Sequence, residues 1–101
     1  MRRLTLGRTG DVPAEHGLEV TVEGRVYALF RLGDTFHALG GLCPHRDGPL
    51  AAGDVADGFV TCPWHAWRFD IRTGVSPQMP AARVPCHPVT LDGDQITIEV
   101  E

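Results

Sequence analysis

The chain contains no lysine: all nine basic residues are arginine, set against thirteen acidic residues for a formal net charge of −4 over 101 residues. An acidic surface without a basic run excludes a nucleic-acid binder, whose phosphates demand a positive face. The same mild acidity suits docking onto a basic partner surface, and equally serves solubility alone. No apolar run approaches the roughly 20 residues of a membrane span. The Arg2-Arg3 pair is twin-arginine-like, but Leu4-Thr5-Leu6-Gly7-Arg8 breaks off before an apolar export signal forms. The pair is read as two charges at a frayed terminus, and the protein as cytoplasmic. Cysteine is scarce and odd in number, at positions 43, 62 and 86. That argues against a disulfide framework and for metal ligation. Amphipathic helical patterning of useful length is also missing.

What is present is turn chemistry. Twelve glycines and eight prolines favour short strands joined by tight turns. Leu18–Val22, Val26–Phe30 and Thr35–Leu39 read as a three-stranded meander turning at Glu23-Gly24 and Gly33-Asp34, the middle strand apolar on both faces. Positions 40–57, rich in Gly, Pro and Asp, read as loop. Phe59-Val60-Thr61 and Trp67–Asp70 are short strands. The Pro-rich stretch Ser76–Pro80 cannot continue a ladder, and Val89–Leu91 with Gln95–Val100 closes a hairpin. The fold class is therefore all-β: one domain over 1–101, a small antiparallel sandwich or partly open barrel. So small a domain buries a modest core, which an inorganic staple would reinforce.

Two motifs carry the chemistry, separated by sixteen residues: Cys43-Pro44-His45 and Cys62-Pro63-Trp64-His65. Each sets one thiolate and one imidazole on a tight loop. A [2Fe–2S] cluster has four terminal ligand positions, and Cys43, His45, Cys62 and His65 fill them. With two ferric ions, two sulfides and two thiolates the oxidised core is neutral. Four thiolates would leave it doubly negative, so His ligation raises the potential, into a range of roughly −150 to +300 mV. The competing reading is a structural zinc site in a non-redox binding module, since Cys₂His₂ also suits tetrahedral Zn²⁺. Zinc fingers, however, pair Cys with Cys and His with His, whereas here each pair is mixed.

The runs Cys43-Pro44-His45-Arg46-Asp47-Gly48-Pro49-Leu50 and Cys62-Pro63-Trp64-His65-Ala66-Trp67-Arg68-Phe69-Asp70 resemble the two cluster-binding boxes of Rieske proteins. The resemblance covers nearly the whole chain. It implies the Rieske fold, with a two-loop cluster-binding part at about 40–80. Cys43 and Cys62 would hold a buried iron, His45 and His65 an outer one. Ser76-Pro77-Gln78-Met79-Pro80 would be the Pro loop covering a third side. Respiratory members carry an extra, disulfide-forming Cys in each box, where this chain has Gly48 and Trp64. They also place a Ser and a Tyr where this chain has Trp67 and Phe69, which lack a hydroxyl. Fewer donors to the cluster sulfurs imply a low-potential, ferredoxin-type centre. Nothing here could house the mononuclear iron of an oxygenase. The resemblance therefore implies a one-electron carrier between a flavoprotein reductase and a terminal oxygenase. It fits equally the small subunit of an NAD(P)H-dependent nitrite reductase, partnered by a sirohaem-containing large subunit. In neither role does the chain transform a substrate by itself.

The remaining residues have plainer expectations. His16 and His87 belong to solvated loops, and His37 to a polar strand face. Cys86 is a buried, inert thiol. Trp67 fills core, whereas Trp64, Pro77 and Pro80 are the candidates for shielding the cluster or docking a partner. Gly48 and Pro49 shape the first ligand loop. Arg46 and Asp47 are exposed charges.

Overall fold

In chain order the strands are β1 (Arg2–Arg8), β2 (Leu18–Val22), β3 (Arg25–Leu32), β4 (Thr35–Gly40), β5 (Asp54–Ala56), β6 (Phe59–Thr61), β7 (Arg68–Asp70), β8 (Cys86–His87), β9 (Val89–Asp92) and β10 (Gln95–Val100). The computed structural model describes residues 2–14, 16–43, 48–64, 67–78 and 82–100. Its strands form three antiparallel sheets: β1-β10-β9, β2-β3-β4-β8 and β5-β6-β7. Two 3₁₀ turns, Thr9–Asp11 and Leu50–Ala52, accompany them. The all-β expectation holds, and the three sheets do not close into a barrel.

The order of layers follows from β3. Its run Tyr27-Ala28-Leu29-Phe30 is buried without interruption. Successive strand side chains point to opposite faces, so a wholly apolar run requires cover on both. Tyr27 and Leu29 face Leu4, Leu6, Ile96 and Ile98 of the first sheet. Ala28 and Phe30 face the other way, into a second core with Leu39, Leu50, Val60, Phe69, Ile71, Cys43 and Cys62. The central sheet thus separates a sandwich core from a core that contains both box cysteines. Each fully buried Leu, Ile or Phe contributes about 2 kcal/mol of apolar transfer.

Turn residues set the registers. Glu23 and Gly24 both have positive φ (52° and 78°), as do Asp57 and Gly58 (55° and 82°). That is the signature of the two-residue turns whose twist matches a hairpin. They join β2 to β3 and β5 to β6.

Several expectations need correction. Arg2–Arg8 is not a frayed end but strand β1, paired along β10 with a bulge between Thr5 and Gly7. Leu4 and Leu6 turn inward and anchor it. Positions 40–57 are not all loop, since they hold a 3₁₀ turn and β5. The strand after the second box begins at Arg68 rather than Trp67. His87 lies on strand β8 rather than in a solvated loop, half-buried against the Tyr27 ring at 5.4 Å. Cys86 is exposed, not buried.

Candidate metal centre

Strand β6 delivers Cys62. Its inward residue is Val60, and two residues on, Cys62 keeps the same side and is also buried. The Cys62 N–H donates to the Trp67 carbonyl at 2.7 Å. This extends the β6–β7 ladder by one rung and closes the loop 62–67 at its base. The first box repeats the arrangement. The Cys43 N–H donates to the Gly48 carbonyl at 2.8 Å, and the Leu50 N–H to the Gly41 carbonyl at 3.0 Å, on either side of the Leu42–Pro49 bridge. Each cysteine therefore opens a loop whose two ends are tied together by its own backbone N–H.

The two loops touch. A Cβ built on Gly48 would lie 2.8 Å from Cys62 Sγ and 3.3 Å from the Trp64 ring. No other residue fits there without displacing the sulfur, which agrees with the loop-shaping role expected of Gly48. The described part of the Pro-rich segment runs along the outer edge of β7. The Asp70 N–H donates to the Val75 carbonyl at 2.9 Å, and the Arg68 N–H to Gln78 Oε1 at 2.8 Å. Ser76 is then level with Phe69 on the buried side, while Pro77 is exposed. The Gln78 clasp escaped sequence reading; a lone glutamine in a Pro-rich loop carries no signal.

Of the four expected ligands, Cys43 and Cys62 are brought together in one core, 0% and 1% exposed. His45 and His65 lie outside the described residues, as do Arg46, Asp47, Met79 and Pro80. The two described donors, the buried thiols of Cys43 and Cys62, fit the thiolate half of the donor set of an iron–sulfur cluster. Its oxidised core is neutral, so it can sit against an apolar interior without a buried countercharge.

Around the loops, Trp67 is half-buried against the core, as expected, whereas Trp64 stands 61% exposed and Leu42 41%. Trp64 is therefore not core packing. His37 on β4 is half-buried and shares a 2.9 Å hydrogen bond with Thr35 Oγ1. Burial and then Arg72 lower its pKa, partly offset by Asp70. The Cys86 S–H donates to the Arg72 carbonyl at 3.3 Å. Although the residue is exposed as a whole, desolvation of its thiol, and then the Asp70 carboxylate, push the pKa up, away from the range of a reactive cysteine.

Comparison with known proteins agrees with this architecture. The family model of the Rieske [2Fe-2S] domain matches residues 2–88. The ferredoxin component of the p-cumate 2,3-dioxygenase system from Pseudomonas putida is 36% identical over 95 residues, covering 91% of this chain and 80% of its own length. Among solved structures, the Sphingomonas yanoikuyae B1 ferredoxin superposes with a TM-score of 0.91 at 24% identity, over 99% of this chain and all of that one. A candidate NADH-dependent nitrite reductase small subunit from Mycobacterium tuberculosis superposes with a TM-score of 0.88 at 25% identity, covering 99% and 96%. The chain belongs to the Rieske [2Fe-2S] domain family, and the cofactor that goes with this membership is one [2Fe–2S] cluster.

Proposed function

We propose that the chain is a Rieske ferredoxin, passing single electrons from a flavoprotein reductase to a terminal oxygenase, with Cys43, His45, Cys62 and His65 as its cluster ligands. The observation that carries this reading is the pairing of Cys43 and Cys62 in one buried core, on two abutting loops with the same backbone closure. The likeness in sequence to a dioxygenase ferredoxin component over most of both chains supports the choice of partner. When bound, the cluster supplies a one-electron redox couple. The chain's own residues hold it, keep water from its inner side and present its outer side to a partner. Cys43 and Cys62 provide the inner, dry anchorage. Trp64 and Leu42, exposed beside the two loops, offer the apolar contact that partner docking needs, with Pro77 at the third side. Trp67 and Phe69 add no hydroxyl donor, which supports a low potential.

The whole of 1–101 acts as one unit, its cluster-binding part at about 40–80, because β1 and β10 pair the two ends of the chain into the base. Among the described residues no helix is long and apolar enough to cross a membrane, in keeping with a cytoplasmic carrier. The second reading, a nitrite reductase small subunit bound to its large subunit, draws on the structural likeness to such a subunit.

The test is an EPR spectrum of the dithionite-reduced protein, with iron and zinc analysis on the same sample. The expected result is a rhombic signal with the low average g of a His-ligated cluster, and a midpoint potential below zero. One zinc per chain and no signal would replace the carrier with a structural metal module. Stable co-purification with a sirohaem protein would move the function to nitrite reduction.

A further inference from the structure

The peptide unit between Trp67 and Arg68 is engaged at both ends. Its carbonyl accepts the Cys62 N–H at 2.7 Å, and its N–H, on Arg68, donates to Gln78 Oε1 at 2.8 Å. In a planar trans peptide these two groups point in opposite directions. The first bond therefore runs inward, to the loop that Cys62 opens. The second runs outward, to the Pro-rich segment. One rigid plane joins the two.

Register explains why a side chain takes the outer bond. On the same edge of β7 the Asp70 N–H donates to the Val75 carbonyl at 2.9 Å. Continued as an antiparallel ladder, that pairing would set Arg68 opposite Pro77. Proline has no N–H to return, and it ends a ladder. The next residue, Gln78, supplies its side-chain oxygen in place of the missing rung.

The inner end of this chain has no slack. Cys62 is 1% exposed, and a Cβ on Gly48 would lie only 2.8 Å from its Sγ. A shift of the Cys62 backbone therefore passes directly to the sulfur and to the first loop. The Arg68 Cα is fixed by its pairing with Thr61, and its guanidinium lies over the Phe59 ring, 5.1 Å from the centroid. What remains to be set is the tilt of the peptide plane, and the two hydrogen bonds at its ends set it. Hydrogen bonds in a chain polarise one another, so the outer bond strengthens the inner one.

We propose that Gln78 is a positioning residue for Cys62, acting through the 67–68 peptide. Its Oε1 sets the tilt of that plane and so the seat of the Cys62 backbone and sulfur. The proposal rests on Cys62 as a cluster ligand. Failure of that ligand reading shows in the wild type, as an absent EPR signal, whereas failure of the coupling shows only in the variants.

The test compares the cluster-loaded wild type with Gln78→Leu, which keeps the bulk without an acceptor, and Gln78→Glu, which keeps a side-chain oxygen at the same reach. Hydrogen exchange is read by mass spectrometry at single-amide resolution, and iron loss by transfer to a chelator. In Gln78→Leu the Arg68 amide should exchange about tenfold faster and the Cys62 amide about threefold faster, with amides of 27–30 unchanged. Iron loss should accelerate about threefold. Gln78→Glu should return all three rates to within about twofold of the wild type. A Cys62 amide unmoved in Gln78→Leu would overturn the proposal, whether or not Arg68 responds. So would iron loss at the wild-type rate in Gln78→Leu. A Gln78→Glu protein that behaves as Gln78→Leu does would overturn it too, because bulk rather than the acceptor oxygen would then be at work.

Discussion

On one side of β3 the interior is aliphatic and spans long strands: Leu4, Leu6, Leu29, Ile96 and Ile98 interlock between a seven-residue β1, a six-residue β10 and an eight-residue β3. On the other side, strands of three residues carry Val60 and Phe69, and the two buried cysteines lie just outside strands, Cys62 directly after β6 and Cys43 three residues beyond β4. The first core has the ladder length and apolar area to hold itself. The second has little ladder, and its loops are seen tied at their bases among the described residues; with the proposed ligands, its order would rest on the cluster. A protein this small can divide labour in this way: a base stabilised by burial, and a tip that the proposed cluster would stabilise.

The sharpest way to break that comparison is to remove a proposed ligand. Cys43→Ser or Cys62→Ser should abolish the reduced-state EPR signal and lower iron content to background. Amides of 59–70 should lose protection from hydrogen exchange, while those of 27–30 and 96–98 keep theirs. Equal loss of protection on both sides of β3 would mean that the base depends on the cluster too. The converse variant, Leu29→Ala in the sandwich core, should cost about 3 kcal/mol of unfolding free energy. Its iron content and EPR line shape should stay unchanged, as urea titration and EPR of one preparation would show. Gly48→Ala acts at the junction of the two loops. Its new methyl must displace Cys62 Sγ or Trp64, at about 1–3 kcal/mol, and cluster release to a chelator should accelerate while sheet amides remain protected.

The smallest effect concerns pH. His37 and His87 both sit on the central sheet with lowered pKa values, in each case through burial first. The folded protein then binds a proton less readily than the unfolded chain. Stability is fully present above the ordinary His value of 6.5 and declines as pH falls from there through the folded values. Because both side chains remain partly in water, the slope is shallow. Urea midpoints at about pH 7.5 and about pH 5.5 measure it, and His37→Gln with His87→Gln should flatten it.

Much of this architecture is legible in the residues. Alternation places β2 and β10, the apolar run at 26–30 marks a strand covered on both faces, and two Cys-Pro motifs point to the metal. Where the reading fails, the reasons differ. Leu4-Thr5-Leu6 alternates as a strand should, but arginines on either side of it suggest a loose end. What decides its state is a partner ninety residues away, β10. Asp57-Gly58 is a strong hairpin signal, obscured because β5 is too short to show periodicity. His87 and Cys86 depend on which strand runs beside β4, and no local pattern contains that. The Gln78 clasp and the backbone closure of each cysteine loop are tertiary facts with no local trace in composition.

Both tryptophans of the chain, Trp64 and Trp67, fall within the loop that begins at Cys62. All tryptophan emission from this protein therefore originates in a single ligand loop. A group that absorbs visible light and is held beside that loop darkens both indoles by energy transfer. With the cluster held by the proposed ligands, loss of iron should be visible as a rise in fluorescence from that loop, a built-in optical gauge of occupancy that needs no label.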